Sequence, residues 1–235
     1  MPGWLEPYPD VLLDGLPDQA SETVSLAFVA ALQCLPPRQR AALILHDVAG
    51  FPAAEVAGLL GLAEPTVGGL LGQARAALAA RLPGPGRAPA PPPRSARERK
   101  IVAEFTRAFE RADAGAVLAL LTDDVALTMP PLPRSGHGRA AAGHILGGAF
   151  QAGRRYRLLP THANRQPAFG CYLAGPWAPV LHAHGLIVLT LSGDRICALT
   201  RFTDNALLGR FGLPRTLVWA AGPGVTQLPP ASGLA

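Results

Sequence analysis

Two structural classes follow one another in this sequence. A small all-helical helix-turn-helix domain comes first, then a Pro-rich linker, then an α+β domain. Three observations predict this order. Before residue 82, apolar residues recur at helical spacing between turn residues; the run Leu82 to Ser95 reads LPGPGRAPAPPPRS; beyond it, helical stretches give way to strand-like segments. The expected divisions are 1–82 for the helical domain, 83–96 for the linker, 97–219 for the second domain and 220–235 for a frayed tail.

The helical domain begins with a run opened by Ser21-Glu22-Thr23 and carrying Val24, Phe28, Ala31 and Leu32, stopped at Leu35-Pro36-Pro37. Arg38 to Val48 is a second helix, ended by Gly50. Pro52 to Leu60 is a short helix closed at Gly61, and Glu64-Pro65-Thr66 opens a last helix through Leu78. Two short helices around a tight glycine turn make the helix-turn-helix. Past the linker, Glu98 to Arg111 is amphipathic, Ala114 to Leu121 is a second helix and Arg139 to Gln151 a third. Strands are expected at Val125 to Met129, Tyr156 to Leu159, Ala168 to Leu173, Val180 to Leu191 and Arg195 to Thr203, as an antiparallel meander. Asp123 and Asp124 precede the first strand and are expected to cap or terminate the helix before it.

Composition excludes several classes. The chain is 49% hydrophobic and 16% charged, which suits a packed core and argues against global disorder. Its three cysteines, Cys34, Cys171 and Cys197, form neither a disulfide framework nor a zinc pattern, so a reducing cytoplasm is expected. No apolar run approaches the roughly 20 residues of a membrane helix, and no signal peptide is visible, so no membrane partner is expected. The formal charge of +5 invites a nucleic-acid partner. It is unevenly spread: residues 1–82 hold four basic and eight acidic residues, net −4, and residues from Arg87 onward hold 17 basic and eight acidic, net +9.

The segments AFVAALQCLPPRQRAALILHDVAGF and PAAEVAGLLGL, the Thr66-Val67 opening of the last helix and Gln73-Ala74-Arg75 near its end resemble region four of extracytoplasmic-function sigma factors. Trp4 to Asp18, WLEPYPDVLLDGLPD, resembles the connector that precedes region four in members with a C-terminal extension. The resemblance implies promoter DNA or RNA polymerase as partner, with Arg38, Arg40, Thr66, Gln73 and Arg75 as DNA-binding positions. Two departures matter. Region two precedes the connector in such factors, whereas this chain begins at the connector, so promoter recognition is expected to be lost. The recognition helix also carries Gly68, Gly69 and Gly72 where contact side chains are expected, and glycine cannot read a base edge. An acidic domain is, besides, a poor start for phosphate attraction.

The opening AEFTRAFERADAGAVLALLTDDVALTMPP, the closing HAHGLIVLTLSGDRICALTRFTDN and the segment PTHANRQPAFGCYLAG resemble the SnoaL-like domain fused to some of these sigma factors, within the nuclear-transport-factor-like superfamily. The implied fold is a cone: a curved antiparallel sheet wrapping helices around a pocket. Many members of that superfamily dimerise, so a homodimer is an expected assembly. Its enzymes include polyketide cyclases, isomerases and epoxide-opening hydrolases, and other members only bind ligands.

The side chains then propose the chemistry. His182 and His184 share one strand face and suit proton transfer near neutral pH. Asp204 is a candidate acid or base if burial raises its pKa, or a turn residue otherwise. Met129, Tyr156, Phe169, Tyr172 and Trp177 are candidate pocket walls, with Arg201 facing away from Ala198 and Thr200. Arg154, Arg155, Arg157 and Arg165 crowd one strand, as an anion site or a solvated face. No metal is expected, since no third ligand stands beside the histidines, and no cofactor is expected. The favoured expectation is a sigma-factor-derived protein whose second domain binds a small-molecule ligand or substrate and cyclises or rearranges a polyketide-type secondary metabolite. The alternative is a truncated sigma-type regulator, with the second domain as its regulatory module.

Overall fold

The computed structural model describes residues 6–12, 29, 32–79, 87–130, 135–150, 154–175 and 178–218. The run expected from Ser21, most of the linker's Gly-Pro core and the tail lie outside these residues. Two compact units emerge: residues 1–5 with 15–87, and residues 6–14 with 88–235.

In the first unit, helix α1 spans Pro37–Leu43 and continues as one π-helical turn, Ile44–Val48. A proline in the first turn suits a helix start, because the missing N–H would be unbonded there anyway. Helix α2 (Ala53–Leu60) ends at Gly61 in the left-handed conformation, φ +63°. Helix α3 (Glu64–Ala79) follows, bent by 101° from α2 across the break. That angle is helix-turn-helix geometry. Leu35, Ala42, Leu43, Val56, Val67, Leu71 and Ala74 close a small apolar core, all under 5% exposed.

In the second unit, helix α4 (Ala96–Glu110) starts at a Ser95 cap. The Ser95 hydroxyl accepts the Glu98 N–H at 3.2 Å, and the Glu98 carboxylate accepts the Arg94 N–H at 2.9 Å. Helix α5 (Ala114–Ala119) is capped by Asp113, whose carboxylate accepts the Ala116 N–H at 2.9 Å. Asp123 and Asp124 do not cap it. They lie inside strand β1 (Leu121–Thr128), because the strand starts four residues earlier than its apolar run suggests. Strand β2 (Ser135–His137) leads into helix α6 (Gly138–Ala149). Strands β3 (Arg155–Ala163), β4 (Gln166–Ala174), β5 (Val180–Ser192) and β6 (Arg195–Phe202) follow, then the short helix α7 (Leu207–Arg210) and strand β7 (Thr216–Val218).

The seven strands form one sheet in the order β2-β1-β6-β5-β4-β3, with β7 added beside β5. Strands β3 to β6 make the antiparallel meander, but β1 pairs β6 in parallel, Leu127 opposite Leu199. The purely antiparallel expectation is corrected there. A crossover of helix and strands separates β1 from β6, and no local turn signal reports such a pairing. One sheet face is covered by α4, α5 and α6, and Phe105, Phe109, Val117, Leu146, Phe169, Ile187 and Leu189 are buried between them. This is the helix-filled cone, and its covered face is called inner below. The segment before the helical unit also belongs to this second unit. Pro9 bridges Ala163, the Tyr8 N–H donates to the Asn164 side chain at 2.8 Å, and the Arg165 N–H donates to Asp10 at 2.7 Å.

Candidate functional site

Helix α3 is the element that would read DNA in a helix-turn-helix. Its buried face is Val67, Leu71, Ala74 and Leu78, so Gly68, Gly69 and Gly72 lie on the exposed side. A Cβ built on any of the three would meet nothing within 4 Å. Packing therefore does not demand these glycines. The polar positions around them are engaged within the unit. Arg75 reaches Asp47 through two hydrogen bonds, at 3.0 and 2.6 Å, and this pairing holds the Asp47 carboxyl below its usual range. The Gln73 side chain accepts from Gln39 at 2.9 Å. Arg40 donates to the carbonyls of Gln33 and Leu35, at 3.1 and 3.0 Å, tying the turn before α1. Of the five expected contact residues, Arg38, Thr66, Gln73 and Arg75 stand exposed, the last two bonded to Gln39 and Asp47, and Arg40 is partly buried. Ile44, Val48, Phe51 and Leu59 are apolar and 38 to 62% exposed on the same unit.

The second site lies on the inner sheet face, toward the end where β5 and β6 part. Leu199 of β6 packs in the core, and Arg201 follows two residues later on the same face, opposite Ile187. Its Nη2 donates to the His184 carbonyl at 2.9 Å, and its Nε is buried with no hydrogen-bond partner among the described residues. His184 reaches this place through a bulge. Opposite Gly170 to Tyr172 of β4, strand β5 carries an extra residue, and Gly185 stands at φ +103°. A Cβ there would sit 2.2 Å from the Phe202 carbonyl oxygen, so only glycine fits. Burial, with the positive charges of Arg201 and Arg154, lowers the His184 imidazole to about 4, so the ring is neutral at pH 7. Cys171 lines the same face, and burial pushes its thiol up to about 12 against the pull of Arg201, which leaves it unreactive.

The expected pocket residues divide by strand parity. Tyr156 and Phe169 are on the inner face but packed in the core. The Tyr156 hydroxyl donates to the Ala149 carbonyl at 2.7 Å, and its ring meets Phe109 and Phe150 edge-on. Tyr172 points to the opposite face, fully buried, its hydroxyl bonded to the Pro214 carbonyl at 2.7 Å. Met129 is partly buried just after β1, and Trp177 lies outside the described residues. His182 is exposed opposite Leu173, on the same side of β5 as His184. Asp204 is exposed and accepts the Ala206 N–H at 2.8 Å, the local turn bond.

The arginine cluster on β3 is also engaged internally. Arg157 pairs with Glu110 at 2.9 Å, Arg155 binds the carbonyls of Gly175 and Ala178, and Arg154 binds Ala149 at 3.3 Å. Among the described residues no three His, Cys, Asp or Glu side chains gather as a metal site would need, and no single helix is long and apolar enough to cross a membrane. Sequence reasoning passed over Leu173, Cys171 and Leu199. Counting alternate residues from Arg201 and its strand partners finds them.

Residues 25–78 match the family model described as Sigma-70, region 4. They are a sigma-70 region 4 domain. The whole chain is similar to the ECF RNA polymerase sigma factor SigG of Mycobacterium tuberculosis, in both its CDC 1551 and H37Rv strains, at 36% identity over 223 residues. That match covers 91% of this chain and 59% of the relative, so the chain spans well under two thirds of the curated relatives' length. Among solved structures, the extracytoplasmic function sigma factor SigJ of Mycobacterium tuberculosis superposes at TM-score 0.61 with 24% identity, covering 90% of this chain and 76% of that one. At that identity it speaks for the fold alone. An NTF2-like protein of unknown function from Mesorhizobium loti aligns at TM-score 0.40 with 20% identity, covering 48% of this chain and 96% of its own.

Proposed function

We propose that this chain works in transcription as a sigma-type regulator. Its region 4 domain engages RNA polymerase more than promoter bases, and its second unit is a ligand-binding regulatory module. The observation that carries this reading is the likeness to a sigma factor through 223 residues, across both units. The choice of polymerase over DNA rests on side chains. Three exposed glycines, an arginine bound to Asp47 and a net charge of −4 offer little to a base edge or a phosphate. Exposed Ile44, Val48, Phe51 and Leu59 suit a protein partner. Co-elution of the full chain with purified core RNA polymerase tests this. Retention is expected, and its loss in a Val48→Asp, Leu59→Asp variant that still folds would place the contact. Passage through the column free of polymerase would contradict the proposal.

A second reading, acid/base catalysis on a small molecule, is favoured by one feature: a neutral His184 beside Arg201. His182 is exposed and Asp204 is occupied in a turn, so catalysis would rest on His184 alone. Turnover of polyketide-type substrates that vanishes in His184→Ala would favour this reading. Equal behaviour of the two proteins would sink it.

A further inference from the structure

In the second unit, Arg201 carries a partly buried positive charge that no side chain among the described residues answers. Arg201 sits on the inner sheet face in the row Phe169–Ile187–Arg201, where Phe169 and Ile187 are at most 1% exposed. A guanidinium in such surroundings is costly unless a carboxylate pairs with it. Among the described residues no carboxylate forms an ion pair with Arg201. Its hydrogen bond goes to the His184 carbonyl, and Nε is buried without a partner. Two other charges withdrawn from solvent in this unit are met by an opposite partner: Arg157 finds Glu110 at 2.9 Å, and Glu98 finds His162 at 3.0 Å.

The position is also reachable. Arg201 and His184 are only partly buried, and His182 and Arg154 beside them are exposed, so the face runs from a sealed apolar core to an open rim. The bulge at Gly185 brings the His184 carbonyl onto Nη2 and fixes the guanidinium, whose residue is partly exposed although its Nε is buried. Arg154, the other cation near His184, is exposed and donates to the Ala149 carbonyl at 3.3 Å.

We propose that the open end of this face is an anion site, where Arg201 receives the carboxylate of a small organic acid whose apolar body lies against the partly buried Leu173 at the rim of the core. The inference rests on the reading of the second unit as a ligand-binding module and names the class of ligand. A planar carboxylate matches one guanidinium edge, and the apolar row requires an acyl or aryl body. His184, neutral at pH 7, lies at the same end and adds no second positive charge.

The test is calorimetric titration of the full chain with sodium octanoate, octan-1-ol and inorganic phosphate, on wild type, Arg201→Gln and Arg201→Lys. Octanoate is expected to bind, the alcohol and phosphate at least about tenfold more weakly, as suits a charge-assisted pair on an apolar wall. Arg201→Gln should lose that preference, and Arg201→Lys, which keeps the charge without the fork, should retain part of it. Without ligand, Arg201→Gln should melt a few degrees higher than wild type, because an unanswered buried charge has been removed; a merely structural arginine would melt lower. Equal binding of octanoate and octanol would overturn the anion claim while leaving a ligand module in place. Phosphate binding as tight as octanoate would overturn the apolar half. Failure of octanoate and octanol alike would overturn this proposal and the ligand-module reading together.

Discussion

The glycines of the two units behave in opposite ways. On helix α3 of the region 4 domain, Gly68, Gly69 and Gly72 face open space, and an added Cβ would touch nothing within 4 Å. In the second unit, Gly185 stands at φ +103°, where any Cβ would collide with the Phe202 carbonyl oxygen at 2.2 Å. The first set is permitted by the fold; the second is required by it. The bare reader face therefore reflects an absence of demand for contact side chains there. The bulge in β5, by contrast, is built to bring His184 and Arg201 together. One unit has kept a helix-turn-helix scaffold with few base-reading groups, and the other has kept a constrained polar site inside an apolar shell.

The sharpest way to break this contrast is to add one methyl group to each kind of glycine. Gly185→Ala should destabilise the second unit by about 3 kcal/mol or more, read as a urea midpoint shift, from backbone strain and collision with the Phe202 carbonyl. A change below about 1 kcal/mol would mean the bulge relaxes freely.

Next comes the pH dependence of the second unit. The folded His184 has its pKa lowered from 6.5 to about 4, so the unfolded chain takes up the proton first as pH falls. The stability that His184 supports is present above pH 6.5 and is lost as pH falls toward about 4. His184→Gln should flatten that part of the profile in denaturant melts. An unchanged slope would remove His184 from the site.

Smaller effects are expected on α3. Gly68→Ala should stabilise the region 4 domain by about 1 kcal/mol, the helix-propensity difference, because nothing in the structure opposes the methyl group. Asp47→Asn should cost only a few tenths of a kcal/mol, because its pair with Arg75 is solvent-facing, with side chains 28% and 54% exposed. It would release Arg75 and strengthen binding to duplex DNA at low salt.

The parts of this fold that were legible in the sequence are those with a local period. The amphipathic run Ile101, Val102, Phe105 and Phe109 marks α4, and the alternation through β5 and β6 correctly turns Arg201 away from Thr200. What was not legible depends on distant partners. The three-residue strands β2 and β7 have no period to detect, and the parallel β1–β6 pairing joins residues about 70 positions apart. The docking of Tyr8, Pro9 and Asp10 onto the β3–β4 turn is of the same kind. So is the pairing of Arg75 with Asp47, 28 residues away, which engages a side chain that looks free on the helix. The unpartnered Nε of Arg201 belongs here too. Alternation says which face the residue occupies, but not that nothing answers its charge.

We propose that the region 4 domain keeps the scaffold of a DNA reader with little of its reading face. Fluorescence anisotropy of the full chain against promoter duplex at about 50 mM salt, where phosphate attraction is strongest, tests it most directly. The wild type should not bind detectably, and a Gly68→Arg, Gly72→Arg variant should gain salt-dependent binding, since both positions open on free space. Tight, sequence-selective binding by the wild type, unaffected by those substitutions, would contradict the account.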